Sequence, residues 1–187
     1  ECLKAIKTKK PTIMTYKFDA KPGNSICGGQ IQVFIEPFAG KRHCIICGAG
    51  HIALPFSALA KMLNYKVSII DNRPEFANQH RFPHVDDIHL GDHAQILKKI
   101  KKNKNTYIIL VTQGYEHDFQ CLEVALKSKA IYVGFISSKV KKVKFIRELR
   151  KKGVPERLIQ RIHAPMGLNI GAETPEEIAT SIMAEII

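Results

Sequence analysis

Short apolar runs and amphipathic stretches take turns along most of this chain. Cys44-Ile45-Ile46-Cys47 is compact and rich in strand formers, so it predicts a buried strand. Gly48 and Gly50 break the run, and Ile52 to Leu63 carries apolar residues at helical spacing. Val67-Ser68-Ile69-Ile70 is a second buried run and ends on Asp71. Further strands are predicted at Asp87–Leu90, Thr106–Val111 and Ala130–Phe135. Helices are predicted at Ala94–Lys101, Asp118–Lys127, Ser138–Lys151 and Glu156–Ile162. Thr174 before Pro175-Glu176-Glu177 supplies an N-cap, a proline at the first position and acids in the first turn, so a last helix runs to Ile187. Strands alternating with helices make an α/β fold, a Rossmann-like sheet of about five parallel strands with helices on both faces.

The first forty residues do not continue that alternation. Residues 1–10 read as the end of a basic helix, Thr12 to Tyr16 as a short strand and Phe18 to Ser25 as a polar loop. Ile31, Val33 and Ile35 alternate with Gln30, Gln32 and Phe34, which predicts a strand half covered by core. Residues 1–40 are therefore expected to be an amino-terminal arm or the remnant of an upstream module. Residues 41–187 are expected to form a nucleotide- or cofactor-binding domain. The chain opens on Glu1 rather than Met, as a fragment lacking an upstream segment would.

With 187 residues, 45% of them hydrophobic, the chain can bury an ordinary globular core. No apolar run approaches the roughly 18 residues needed to span a bilayer, and no signal-peptide pattern opens the chain, so a cytoplasmic protein without a membrane is expected. Five cysteines, an odd number without framework spacing, suit a reducing compartment. Cys44 and Cys47 spell C-x-x-C, yet on a strand that spacing sets them on opposite faces about 10 Å apart. Disulfide bonds need Cα atoms within about 7 Å, so both read as core thiols. The net charge of +12 gathers in Lys98–Lys104 and in Lys139–Lys152, where eight Lys or Arg face the single acid Glu148. That charge fits a solvated helix face, an anionic ligand or an acidic partner. Nucleic acid is not expected, because no helix-turn-helix, aromatic platform or zinc module accompanies it.

Gly48, Gly50 and Ala53 fit G-x-G-x-x-G/A between a strand and a helix. In that pattern the first glycine permits the tight turn and the second admits a pyrophosphate close to the backbone. The small third residue lets the helix lie against the strand, and the helix start offers free N–H groups to phosphates. Asp71 stands where a carboxylate can accept from ribose hydroxyls, with Arg73 beside it. Other polar clusters fall at strand ends: His51, Thr112 to Gly114 with Glu116, His117 and Asp118, and Ser137-Ser138-Lys139. Glu116, His117 and Asp118 could serve acid–base chemistry, or Asp118 could simply cap the next helix. Ser137 and Ser138 could hold a second phosphate or act as caps. His80, His84, His89 and His93 recur closely, but Pro83 and the strand at 87–90 keep one helix from presenting all four, and no metal site is expected. Cys27, in a glycine-flanked polar loop, could be an exposed, reactive thiol.

Taken together, Cys27-Gly28-Gly29, Val33-Phe34-Ile35-Glu36-Pro37, Gly48-Ala49-Gly50-His51-Ile52-Ala53 and Asp71-Asn72-Arg73-Pro74-Glu75-Phe76-Ala77-Asn78 resemble the XdhC/CoxI family of xanthine dehydrogenase accessory proteins. Arg81-Phe82-Pro83 and the closing stretch from His163-Ala164-Pro165-Met166-Gly167 to Ile178-Ala179 resemble it too. The resemblance implies a chaperone rather than a turnover enzyme, one that binds molybdenum cofactor (molybdopterin) and assists its sulfuration and insertion into a xanthine dehydrogenase-like molybdenum hydroxylase. It also implies a cysteine desulfurase as a further partner, a homodimer as an open alternative, and Cys27 as the candidate to contact the cofactor or its sulfur. The chain departs from the family at Gln113, Tyr115 and Ser137–Val140, where relatives carry more basic residues. An NAD(P)-dependent oxidoreductase and a nucleotide-sensing regulatory domain stay open as alternatives.

Overall fold

In a computed structural model, residues 1–8, 10–18, 29–37 and 40–187 are described. The chain divides into two compact units, Glu1–Gly40 and Lys41–Ile187. The first holds helix α1 (Cys2–Thr8) and two antiparallel strands, β1 (Thr12–Phe18) and β2 (Gly29–Ile35), with Thr12 opposite Ile35. Along β2 every residue but Ile35 is exposed and none is buried, so the expected half-covered strand is corrected. Two strands alone offer too little surface to enclose a core.

The second unit runs β3 (His43–Cys47), α2 (Ala53–Met62), β4 (Lys66–Asp71), β5 (Asp87–Leu90), α3 (His93–Lys99), β6 (Thr106–Leu110), α4 (Tyr115–Leu126), β7 (Tyr132–Phe135), α5 (Lys139–Lys151), α6 (Glu156–Ile159), β8 (Ile162–His163) and α7 (Pro175–Ile186). Its six strands are all parallel in the order β5-β4-β3-β6-β7-β8, the doubly wound arrangement expected. The sixth strand is the two-residue β8, which apolar patterning assigns to the preceding helix because it is too short to show alternation.

Side-chain alternation divides the core. Cys44, Ile46, Val67 and Ile69 face α2 and α7, while Ile45, Cys47, Ile70 and Ile108 face α3, α4 and α5. The two C-x-x-C thiols thus lie on opposite sides of the sheet, as the strand spacing requires. Each fully buried isoleucine adds about 1.5–3 kcal/mol of apolar transfer energy before entropy is counted. Covering both faces leaves the carboxyl ends of the strands as the open rim. The winding reverses between β3 and β6, and that reversal is where such sheets hold ligands. Among the described residues no helix is long and apolar enough to cross a membrane.

Candidate functional site

The turn after β3 is fixed from both sides. Gly48 N–H donates to Ile70 O at 2.7 Å, and Val111 N–H donates to Cys47 O at 2.8 Å. Gly48 has φ of +106°, and a Cβ there would lie 2.4 Å from Val111 O, so only glycine fits against the β6 end. Gly50 differs: a Cβ there would meet nothing within 4 Å, so the space above the turn is open. Ala53 is fully buried, as the third position of the motif requires. Ile52, the residue before α2, contributes no side-chain cap, so the first N–H groups of the helix remain available. His51 is exposed beside them.

Asp71 is the main departure from expectation. Its Oδ2 accepts from Ala49 N–H at 2.7 Å and from Arg73 Nη2 at 2.9 Å. Its Oδ1 accepts from Arg73 N–H at 3.0 Å and Nε at 2.9 Å. Four donors saturate a carboxylate, and Asp71 is fully buried, so it has no lone pair to offer ribose hydroxyls. Burial alone would raise its pKa, but Arg73, then the nearby His93 ring and the Ala49 N–H, prevail and hold it well below the usual carboxylate range. Asp71 therefore positions the glycine turn and Arg73 in this structure. Arg73 in turn lies 3.9 Å over the Phe76 ring, with Arg81 at 5.0 Å from the same ring. Arg81 belongs to the Arg81-Phe82-Pro83 stretch that carries the family resemblance but is not among the expected site residues, and its Nη2 reaches the carbonyl of Ala49 at 3.4 Å.

Thr112 gives its hydroxyl proton to Asp118 Oδ1 at 2.5 Å, and Lys141 Nζ meets Asp118 Oδ2 at the same distance. Helix α4 begins at Tyr115 with Gly114 as its N-cap (φ +102°), three residues before the predicted start. Asp118 is accordingly a buried residue inside α4 and not its cap. Ser138 does cap α5, accepting from Lys141 N–H at 3.2 Å. Ser137 Oγ is buried without a protein partner among the described residues. It lines a groove of about 690 Å³ with Ile136, Lys139, Gly167, Asn169 and Ser181. Ile136 N–H donates to Leu110 O at 3.2 Å, so the ends of β3, β6 and β7 stand in a row.

Glu185 on α7 secures the far wall of the groove. It accepts from Tyr132 OH at 2.7 Å and Gly167 N–H at 2.6 Å, and pairs with His163 Nδ1 at 3.0 Å. Burial opposes ionisation of Glu185, but these partners, Tyr132 first, lower its pKa overall. Burial also pushes the Cys44 thiol well up. A hydrogen bond with Cys121, then burial, does the same for Cys47, so neither is a nucleophile at neutral pH. Cys27 lies outside the described residues. Among the described residues no three His, Cys, Asp or Glu side chains stand as a metal set.

Residues 44–186 match the family model described as the XdhC Rossmann domain. The chain belongs to this XdhC family. The whole XdhC chain is 30% identical over 191 residues to YqeB, an uncharacterised protein of Escherichia coli K12, of which it covers 35%. Over 156 residues, 83% of the chain, it is 31% identical to a probable xanthine dehydrogenase subunit from Bacillus subtilis 168, covering 45% of that protein. A crystal structure described as a xanthine dehydrogenase from Bacillus halodurans superposes with a TM-score of 0.69 and 27% identity, over 84% of this XdhC chain and 44% of that one. The chain thus spans less than half the length of each of these relatives.

Proposed function

We propose that this XdhC domain binds molybdenum cofactor along the row of strand ends and assists its sulfuration and insertion into a xanthine dehydrogenase-type molybdenum hydroxylase. The observation that carries the reading is the open space at Gly50, beside the uncapped start of α2. A phosphate there meets N–H groups and the positive end of the helix. The adjoining groove suits the rest of an anionic pterin: Ser137 Oγ needs a partner, Lys139 supplies charge, and about 690 Å³ is available. When bound, the cofactor supplies the redox-active molybdenum centre that the hydroxylase uses. This chain's own residues would bind and orient it: Gly48 and Asp71 fix the turn, Gly50 admits the phosphate, Ser137 and Lys139 line the other end, and Ser138 caps α5 beside them.

Handling sulfur requires an exposed thiol that a cofactor can approach. Cys44, Cys47 and Cys121 are buried, and Cys2 is exposed but sits within α1. The role is assigned to Cys27, which the sequence sets beside Gly28 and Gly29, with a cysteine desulfurase as the sulfur source. Names of relatives that refer to xanthine dehydrogenase support that class of client. A nicotinamide dinucleotide is the second reading, favoured by the strand order. Against it stands Asp71, whose oxygens are already occupied.

The test is native mass spectrometry of the purified chain offered molybdenum cofactor and NAD(H) together. Retention of the molybdenum species, lost in Gly50→Asp, is the expected result. Retention of NAD(H) alone would overturn the reading in favour of an oxidoreductase or sensor.

A further inference from the structure

Behind the glycine turn, on the side of the sheet covered by α3 and α4, lies a small cavity that the cofactor reading does not use. It holds about 150 Å³ and is lined by Asp71, Asn72, Arg73, His93, Gln113 and His117. Its wall presents donors almost throughout. Asp71 is the one carboxylate in it, and it is spent on Ala49 and Arg73. Arg73 uses Nε and Nη2 for that pair, which leaves Nη1 outside it.

His93 is the decisive residue. It opens α3, is only 3% exposed, and neither ring nitrogen has a hydrogen-bond partner among the described residues. Its Nε2 stops 3.9 Å from Asp71 Oδ2, too far for a hydrogen bond. The ring of His117 packs on it, centroids 5.3 Å apart. Nε2 thus faces Asp71 only across a gap and Nδ1 has no hydrogen-bond partner, so this buried imidazole has room for an acceptor that the described residues do not supply. The start of α4 adds a second attraction. Gly114 gives it no side-chain cap, a Cβ on Gly114 would meet nothing within 4 Å, and Gln113 and His117 flank it at the cavity. The remaining acids nearby are engaged or outside: Asp92 caps α3 by accepting from Gln95 N–H, Asp118 is paired with Lys141, and Glu116 is exposed.

We infer that this cavity is a binding site for a phosphate-class tetrahedral oxyanion, held by Arg73, His93, His117 and the amides of Asn72 and Gln113. A phosphate group matches the size of the cavity and the preponderance of donors, and it gives His93 the acceptor it lacks. Cation binding fits poorly, since Arg73 lines the same space and the only carboxylate is saturated.

The experiment is a phosphorus NMR and calorimetric titration of the full chain with inorganic phosphate and, separately, with adenosine 2′-phosphate. Wild type, His93→Leu, His117→Ala and Gly50→Asp are compared. Binding is expected in wild type and in Gly50→Asp, and at least about tenfold weaker in each histidine variant, the size of one hydrogen bond to a charged group. Tighter binding of inorganic phosphate identifies a free ion, and tighter binding of the ester identifies a nucleotide phosphate; either result upholds the site. His93→Leu should also keep or raise Tm, because it removes an unsatisfied buried group, whereas a merely structural histidine would lower it on removal. Failure of wild type to bind either compound, unchanged affinity in both histidine variants, or uptake of Zn²⁺ in place of phosphate would overturn the inference. Because Gly50→Asp tests the cofactor reading alone, the two can fail separately.

Discussion

Lys141 Nζ stands 2.5 Å from Asp118 Oδ2 and fastens the first turn of α5 to α4. Asp118 is buried and Lys141 only a quarter exposed, so this pair is shielded from the screening that weakens surface pairs. Removing one partner strands the other. Asp118→Ala is expected to cost about 3 kcal/mol in urea unfolding. It also frees Thr112, which shares the carboxylate. A Lys141→Met variant should cost at least as much, because it leaves the buried Asp118 carboxylate with only the Thr112 hydrogen bond, whereas a stranded Lys141 can turn to solvent.

The two turn glycines should separate stability from binding. Gly48→Ala forces a Cβ to 2.4 Å from a backbone carbonyl at positive φ, and is expected to destabilise by at least about 2 kcal/mol. Gly50→Ala meets open space, so its Tm should stay near wild type. Cofactor retention in the same native mass-spectrometry assay should nevertheless fall, since the methyl occupies the space a phosphate would use.

Asp71 makes stability acid-sensitive. Its folded pKa is depressed below the unfolded value of about 3.9, so its contribution is fully present above that value and drains away as pH falls below it. One extra proton bound on unfolding corresponds to a slope of up to about 1.4 kcal/mol per pH unit. Urea unfolding between about pH 5 and 2 should therefore be less steeply pH-dependent in Asp71→Asn than in wild type.

Glu185 holds three partners from β7, β8 and the loop that follows. Glu185→Ala leaves the Tyr132 hydroxyl and Gly167 N–H unpaired and should cost about 2–3 kcal/mol. Hydrogen exchange should quicken over residues 165–172, while α3 and α4 stay protected.

What the sequence made legible was local. Gly48, Gly50 and Ala53 declare the turn because its constraints act within six residues, and Thr174 with Glu177 declares the capping box for the same reason. Asp71 is legible as a strand-end acid, but its engagement depends on Ala49, 22 positions earlier, and on the way Arg73 folds back. A cap at Asp118, one of the two readings open to it, fails because nothing in the residue types shows that Gly114 adopts a positive φ and starts α4 early. His93 and His117 meet only because α3 and α4 pack together, a contact no spacing encodes.

The division of Cys44 and Cys47 between two cores has a practical consequence. A sheet stands between the two sulfurs, and each is fully buried, so an alkylating reagent can reach them only after the domain opens. Where reclosing outpaces labelling, their modification rate reports the population of the opened state. A pair that looks in the sequence like a redox switch is thus a built-in clock for unfolding, one thiol timing each face.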